Sequence, residues 1–251
     1  MRGSTRLTTE RDVGETTPVA IARTLARAAG RCTFQPPVTH VYNPLDYAAG
    51  AHRQYLERYC RREADILLVG MNPGPWGMVQ TGVPFGEVAL VRDWLGICAG
   101  VTMPAEQHPR RPIQGFECSR SEVSGQRVWA WAQERFGTPD AFFRRFFIWN
   151  HCPLAFLEES GRNRTPNHLP AAERKALYDI CDRALAKIVD YLEPSLVLGI
   201  GRYAEARCHD ALRPGPRIDG ILHPSPASPA ANKGWAPQME RQLAALGVSL
   251  P

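Results

Sequence analysis

Short apolar runs alternate along the chain with longer segments that carry apolar residues at helical spacing. The runs occur in ADILLVG, FFIWN, SLVLGI and RIDGIL, and each has the length of a strand buried in a sheet. The longest amphipathic segment, AAERKALYDICDRALAKIVDYLEP, predicts a helix that stops at Pro194. Strands that alternate with helices indicate an α/β fold, in which helices cover both faces of a parallel sheet.

Further helices are predicted where apolar residues recur every three or four positions. They cover PVAIARTLARAAGRC, DYAAGAHRQYLERYCRR, EVALVRDWLGIC, SEVSGQRVWAWAQERFG, RYAEARCHDAL and SPAANKGWAPQMERQLAALG. Glu87 is favourably placed in the first turn of the third of these, and Gly125 weakens the start of the fourth. Ser228 followed by Pro229 is typical of the entry into the last one. The segments GVTMPAEQHPRRPIQGFECSR and EESGRNRTPNHLP, rich in proline or polar residues, predict surface loops.

Chain length and cysteine spacing limit the number of domains, the cofactors and the cellular compartment that we expect. The chain has 251 residues, and we expect one domain over residues 17–251. Residues 1–16 are polar, are expected to be disordered and lack the apolar segment of a signal peptide, and no apolar run has the length of a membrane span. The seven cysteines are scattered without a CxxC or CxxH pair, so no metal or other cofactor is predicted. We therefore expect an intracellular protein, in the nucleus of a eukaryote or the cytoplasm of a bacterium.

Positive charge exceeds negative charge by a modest amount. The formal net charge is +5 and the isoelectric point of the sequence is about 8.9. This excess suits a nucleic-acid partner, and it suits equally well an enzyme with a small acidic substrate. Charge alone leaves both alternatives open.

Polar residues stand where three of the predicted strands end. Asn72 follows the first strand, Asn150 closes the second and His223 follows the last. The carboxyl ends of parallel strands meet at one edge of a sheet, and ligands of such folds bind beyond that edge. We therefore expect these three side chains to emerge on one rim.

The loop GMNPGPWGMVQTGVPFGE, at 70–87, joins the first strand to a helix. It lacks the lysine of the phosphate-binding pattern GxxxxGK[ST], and it holds only the tail of the dinucleotide pattern GxGxxG. Asn72 and Pro73 either shape a tight turn or present a carboxamide at the rim. Phe85 is either an anchor in the core or a platform on which a planar ligand stacks.

Two other segments carry candidate chemistry. In WNHCP, Asn150 is either a turn residue or an amide that reads the edge of a base, and His151 is expected to be structural. The segment HPSPASPAANKGW, at 223–235, is either a proline-rich helix entry or a stiff loop that binds phosphates or enters a duplex. Glu87 and Asp93 have plain helical roles, so no catalytic pair of carboxylates is predicted.

Taken together, GMNPGPWGMVQTGVPFGEVALVRDWLGI, WNHCPL and HPSPASPAANKGW closely resemble three motifs of a known family. The family is that of the single-strand-selective monofunctional uracil-DNA glycosylases, family 3 of the uracil-DNA glycosylase superfamily. The resemblance runs from about residue 35 to residue 245. It implies a three-layer fold with a four-stranded parallel sheet between helices, and an enzyme of DNA repair. That enzyme hydrolyses the N-glycosidic bond of uracil, and of 5-hydroxymethyluracil, and leaves an abasic site.

The resemblance also implies a role for each motif residue. Asn72 orients the attacking water, and His223 donates to uracil O2 as negative charge collects there. Uracil is held by Phe85, which stacks on it, by Asn150, which reads O4 and N3–H, and by Met71 and Gly74, which border C5. The residues expected to contact DNA are Pro224, Ser225, Pro226, Ala227, Ser228, Asn232 and Lys233. The partner is uracil-containing DNA, single- or double-stranded, and the protein is expected to act as a monomer without a metal or cofactor.

One position departs from the family pattern, which has an arginine directly after HPSP where this chain has Ala227. That arginine belongs to the part of the loop that enters the duplex, so we expect weaker action on duplex uracil. Three other interpretations stay open at this point. They are a damaged-DNA binding module without catalysis, a nucleotide-binding hydrolase, and a structural α/β domain whose rim asparagines only form turns.

Overall fold

The computed structural model describes residues 17–251, so the disordered segment predicted for residues 1–16 lies outside the described part. The strands are β1 Val38–Tyr42, β2 Ile66–Gly70, β3 Phe146–Asn150, β4 Ala155–Glu158, β5 Asn163–Arg164, β6 Leu196–Ile200 and β7 Arg217–Ile221. The helices are α1 Pro18–Ala29, α2 Pro44–Tyr47, α3 Ala49–Tyr59, α4 Met78–Thr81, α5 Val123–Phe136, α6 Pro139–Phe143, α7 Ala171–Leu192, α8 Arg202–Ala211 and α9 Trp235–Ala245.

The central sheet has four parallel strands in the order β3–β2–β6–β7. Every residue of β2, β3 and β6 is buried, as expected for strands that helices cover on both faces. This confirms the predicted α/β fold with a four-stranded parallel sheet between helices. None of the helices within residues 17–251 is long and apolar enough to cross a membrane.

A second sheet of three antiparallel strands, in the order β1–β4–β5, was not predicted. Its strands are at most five residues long, and β5 has only two. Strands this short carry too few residues for a clear alternating pattern. The segment EESGRNRTPNHLP, interpreted as a loop, therefore contains β5 together with a 3-10 turn at Pro166–His168.

Three predicted helices differ from the structure. The one predicted over DYAAGAHRQYLERYCRR is divided at Ala48 into α2 and α3. The segment after Glu87 contains a π-helical turn over Leu90–Trp94. The predicted role of Glu87 in the first turn is confirmed, because the Leu90 N–H donates to Glu87 Oε2 at 2.9 Å. The last helix does not start at Pro229. A 3-10 turn over Ala231–Lys233 comes first, and α9 begins only after Gly234, whose φ of 102° interrupts the helix.

The fully buried side chain of Gln80 ties the long loop at 100–120 to the loop that follows β2. Its Nε2 donates to the carbonyl oxygens of Pro75 and Pro112, at 2.9 and 3.1 Å. Its Oε1 accepts from the N–H groups of Gln114 and Gly115, at 2.8 and 3.1 Å. The side chain of Gln80 thereby provides hydrogen bonds to four backbone groups that are buried or partly buried.

We predict that Gln80→Leu lowers the free energy of unfolding by about 2–5 kcal/mol, because it strands buried donors and acceptors. Amide hydrogen exchange at Gln114 and Gly115 should accelerate more than exchange in β2. Gln126→Leu, at an exposed position of α5, is the matched control and should change stability by less than about 0.5 kcal/mol. Equal stability of the two variants in chemical denaturation would contradict the bridging role of Gln80.

Candidate active site

The carboxyl edge of the central sheet holds a pocket of about 380 Å³. The side chains of Asn72, Asn150 and His223 all line it, as their positions at the strand ends predict. The other lining residues are Met71, Gly74, Pro75, Phe85, Glu122, Ser124, Asn163, Thr165, Ser225 and Pro226. Among the residues expected to hold DNA, Pro224, Ala227, Ser228, Asn232 and Lys233 do not line the pocket and belong to the loop that continues from it.

The floor of the pocket depends on a glycine at the end of β2. Gly70 pairs with Asn150 of β3 in the parallel register. A Cβ atom at position 70 would lie 2.1 Å from Asn150 Oδ1 and 2.9 Å from Cε2 of Phe85. Because both distances are far below van der Waals contact, only glycine lets the amide and the ring meet above the strand end.

The Asn150 amide is buried and has a fixed orientation. Its Nδ2 donates to Met78 Sδ at 3.1 Å, and the side chain is 6% exposed. Its Oδ1 is buried and has no hydrogen-bond partner among residues 17–251. A buried acceptor without a partner costs about 1–3 kcal/mol, so the pocket is prepared for a ligand that brings an N–H or O–H donor.

Phe85 is both a core residue and a wall of the pocket. It is 9% exposed, and its backbone has a φ of +52°, a left-handed conformation that is strained for a phenylalanine. A Cβ atom at Gly125 would lie 2.0 Å from the Phe85 carbonyl oxygen. Gly125, predicted only as a weak helix start, therefore lets the first turn of α5 pack directly against the Phe85 backbone.

Asn72 is held by its amino group. Its Nδ2 donates to the carbonyl oxygen of Leu154 at 3.2 Å, which leaves Oδ1 without a partner among residues 17–251. An amide oxygen held in this way can accept a hydrogen bond from a water and orient it, but it cannot remove the proton of that water.

His223 is neutral and has a defined tautomer. The Ser225 N–H donates to His223 Nδ1 at 3.0 Å, so the neutral ring carries its proton on Nε2. Burial lowers the pKa of His223 to about 4. Its ring centroid lies 6.3 Å from that of Phe85, so both rings border the same space. The group that His223 offers to a ligand is thus an uncharged N–H donor.

The pocket also contains a carboxyl group that the sequence analysis missed. Glu122 caps α5, and its two oxygens accept from the N–H groups of Ser124 and Gly125, at 3.2 and 3.1 Å. It backs onto the loop after β2, since a Cβ atom at Gly77 would lie 2.7 Å from Glu122 Oε2. Burial raises the pKa of Glu122, while these two hydrogen bonds oppose the rise. The only signal in the sequence was its place directly before an apolar helix.

Two more polar residues of the pocket, Asn163 and Thr165, come from the segment that the sequence analysis treated as a surface loop. Asn163 Oδ1 is buried without a partner among the described residues, so it is a second acceptor available to a ligand or a water. No feature of the sequence marked it, because its position depends on the pairing of β5 with β4.

The loop at 223–233 is fixed from the side by α5. Arg127 donates to the Pro224 carbonyl oxygen at 2.8 Å and to Asn232 Oδ1 at 3.0 Å. Asn232 Nδ2 donates to the Pro226 carbonyl oxygen at 2.8 Å, so its amide serves the shape of the loop. The side chains of Ala227 and Lys233 are exposed on this loop. Arg127, which the sequence analysis missed, makes the loop a rigid projection beside the pocket.

His151, next to Asn150, has the structural role that was predicted. It is fully buried, its Nε2 lies 2.7 Å from Asp182 Oδ1, and its Nδ1 lies 3.2 Å from the Tyr203 hydroxyl. Burial lowers its pKa, although Asp182 opposes the shift. His151 does not line the pocket.

Comparison with known proteins identifies the family. The family model described as the uracil DNA glycosylase superfamily matches residues 57–246. Single-strand selective monofunctional uracil-DNA glycosylases are similar over 218 residues, with 52% identity for that of Rattus norvegicus and 51% for that of Mus musculus. Both matches cover 86% of this chain and 78% of the relative. The chain belongs to this family.

The fold of a more distant solved structure agrees with this membership. The crystal structure of wild-type SMUG2 from Pedobacter heparinus superposes with a TM-score of 0.63, covering 90% of this chain and 97% of that one. Its sequence identity is 18%, so it supports the fold alone. The resemblance found in the three sequence motifs is confirmed at the level of the family.

We predict that the contribution of His223 to activity stays constant from about pH 8 down to about pH 5, and falls only as the pH approaches 4. The reason is that its lowered pKa of about 4 keeps the ring neutral over that range. Single-turnover rate constants measured against pH for the wild type and for His223→Gln check this, since glutamine keeps a neutral donor that does not titrate. A fall centred near pH 6.5 in the wild type and absent from the variant would contradict a neutral His223.

Proposed function

We propose that the protein removes uracil from DNA by hydrolysing its N-glycosidic bond and leaves an abasic site. The observation that carries this proposal is the buried Asn150 Oδ1, which lies beside the ring of Phe85 and has no hydrogen-bond partner within residues 17–251. A planar ligand with an N–H donor on its edge satisfies both groups at once. Membership of the family makes uracil the ligand of choice.

Base selection follows from the fixed Asn150 amide. Uracil offers N3–H to Oδ1 and accepts from Nδ2 through O4, while its face stacks on Phe85, an interaction worth about 1–3 kcal/mol. Cytosine presents an acceptor at N3 and an amino group at C4, so both hydrogen bonds would be reversed. Because the Nδ2 bond to Met78 resists a flip of the amide, cytosine would leave buried groups unpaired and is rejected.

His223 stabilises the departing base. As the bond between N1 and the sugar breaks, negative charge accumulates on uracil, and the Nε2–H of neutral His223 donates to O2. A donor that is already in place can contribute roughly 3–4 kcal/mol to the transition state. The hydrogen bond from Ser225 keeps the proton on the nitrogen that faces away from the backbone.

Asn72 positions the water that attacks the sugar. Its Oδ1 accepts from the water while Leu154 holds its amino group. Because an amide cannot take the proton outright, the attack follows extensive breakage of the bond to uracil, when the sugar already has oxocarbenium character. The proton that the water loses on attack then neutralises the departed uracil anion, directly or through solvent. Met71 and Gly74 border the remaining edge of the base, and a 5-hydroxymethyl group is the second substrate that we propose for this space.

We further propose that the loop at 223–233 contacts DNA next to the flipped nucleotide through Ser225, Pro226, Ser228 and Lys233, which are exposed or half-buried, while Pro224 is buried and supports the loop from below. A single chain supplies every residue named for the pocket, which fits a monomer acting on single- or double-stranded DNA. Its site of action is then the nucleus of a eukaryote or the cytoplasm of a bacterium.

The central experiment incubates the purified protein, in the presence of EDTA, with a uracil-containing oligonucleotide, which alkali then cleaves at abasic sites. We expect cleavage by the wild type and a loss of at least about 100-fold in single-turnover rate for Asn72→Ala and for His223→Ala. Asn150→Ala should lose rate and selectivity against cytosine together. His209→Ala, in the last turn of α8, is the matched control and should keep full activity.

Absence of alkali-labile sites with the wild type would overturn the proposal and favour a damage-binding protein. Activity that appears only when a divalent metal replaces EDTA would favour a hydrolase of a different mechanism.

A separate prediction concerns Ala227, which is exposed where the family pattern has an arginine. We expect Ala227→Arg to raise the rate on duplex uracil by about 3- to 10-fold and to change the rate on single strands by less than 2-fold, because a long side chain there fills the gap left by the flipped base. Ala230→Arg, at an exposed position of the same loop, adds the same charge and is the control. Unchanged rates on both substrates would show that the loop does not act as a wedge at this position.

A further inference from the structure

A second basic surface lies beside the pocket, and its arginines lie outside the three motifs. It consists of Trp76, Arg110, Arg111, Arg120 and Arg162, and we refer to it as the Trp76 patch. The arginines come from the loop at 100–120 and from the turn before β5, two regions that the proposed function does not use.

The Trp76 patch is attached to one wall of the pocket through Gln80. Trp76 directly follows Pro75, which lines the pocket. Gln80 Nε2 donates both to the Pro75 carbonyl oxygen and to the Pro112 carbonyl oxygen. This buried bridge holds the arginine-bearing loop against the wall, next to Arg111.

A second attachment leads to another wall. Arg110 donates through Nη1 to the Ser160 carbonyl oxygen at 3.2 Å. A Cβ atom at Gly161 would lie 3.2 Å from Arg110 Cβ, so the two segments are in direct contact. The chain then passes through Arg162 to Asn163, which lines the pocket.

The guanidinium groups of Arg111 and Arg120 stack on the ring of Trp76 and have no carboxylate partner among the described residues. Cζ of Arg120 lies 4.3 Å, and Cζ of Arg111 lies 5.2 Å, from the centroid of the Trp76 ring. Neither arginine forms an ion pair with a carboxylate within residues 17–251, and Arg111 Nε is buried without a partner. By contrast, nearby Arg164 is paired with Glu158 at 3.0 Å.

Arginines that stack on an aromatic ring and have no acidic partner are suited to phosphate, because N–H groups at the edge of the restrained guanidinium can match phosphate oxygens. The edge of Arg120 is available for this, whereas Arg111 Nη1 donates to the Arg110 carbonyl oxygen at 3.0 Å and its Nε is buried, so Arg111 offers Nη2. A nucleotide that enters the pocket brings its own phosphates to the pocket mouth. The Trp76 patch adjoins the pocket at two places, because Trp76 follows Pro75 and Arg162 precedes Asn163, and both Pro75 and Asn163 line the pocket.

We propose that the Trp76 patch binds the phosphodiester backbone of the DNA strand that carries the flipped nucleotide. This inference rests on the proposed function for its ligand, but it concerns binding and not the chemical step. The protein then has two separate DNA contacts. The Trp76 patch contacts the backbone of the target strand, and the loop at 223–233 contacts the gap that the flipped base leaves in the duplex.

The test measures the affinity of the protein for a single-stranded oligonucleotide that contains one non-hydrolysable 2′-fluorinated deoxyuridine. We expect Arg111→Gln/Arg120→Gln to weaken binding by about 10- to 100-fold. The slope of log affinity against log salt concentration should shrink by about 1.4, which corresponds to two lost contacts with a single strand. The rate on saturating uracil substrate should stay within about 2-fold of the wild type, because neither arginine touches the base.

The matched control is Arg144→Gln, which removes an exposed arginine just before β3, at the edge of the sheet opposite the pocket. Arg120→Gln alone alters only an exposed side chain and should give half the change in slope, so it replaces the double variant if that variant unfolds. Affinity and salt slope equal to those of Arg144→Gln overturn the proposal.

Methylphosphonates, placed one at a time along the oligonucleotide, locate the contact. We expect a methylphosphonate at one or two positions flanking the uracil analogue to lower the affinity of the wild type. The same methylphosphonate should not lower the affinity of the double variant any further. If the loss from the methylphosphonate and the loss from the double substitution add up at every position, a direct contact is overturned. If the wild type releases no uracil while the double variant still loses affinity in this way, the proposed function fails and the phosphate site stands.

Discussion

The parallel register between β2 and β3 is the constraint on which the pocket depends. It sets Gly70 opposite Asn150, and the missing side chain at position 70 is the space that the amide and the Phe85 ring occupy. A slip of one residue would turn Asn150 to the other face of the sheet. Because helices cover both faces of these strands, such a slip would also place side chains of the wrong size against both helix layers, so close packing on the two faces specifies the register.

The central sheet could be predicted because strands buried on both faces leave continuous apolar runs in the sequence. The rim could be predicted from the polar residues that end those runs, and Asn72, Asn150 and His223 do share one pocket. The antiparallel sheet could not, since its pairing joins distant segments, as between His40 and Leu157, through strands too short to show a period.

Other parts of the site escaped prediction because they arise only from tertiary contact. From the sequence, Gly125 is predicted only to weaken the start of a helix, yet it is the point where α5 approaches the Phe85 carbonyl. In the sequence, Glu122 and Arg127 look like ordinary residues near a helix start. In the structure, Glu122 lines the pocket and Arg127 holds the loop at 223–233. A side chain whose role is to meet a partner fifty or a hundred residues away leaves no local signal.

The left-handed backbone of Phe85 packs against Gly125 of α5, and its ring is buried in the wall of the pocket. Under the proposed function, a base therefore has to leave the stack to reach this ring, at a cost of a few kcal/mol. Under the proposed function, DNA that opens easily, at a mismatch or in an unpaired stretch, requires less of this energy. The local stability of the DNA, and not only the identity of the base, would then govern how often the pocket is filled.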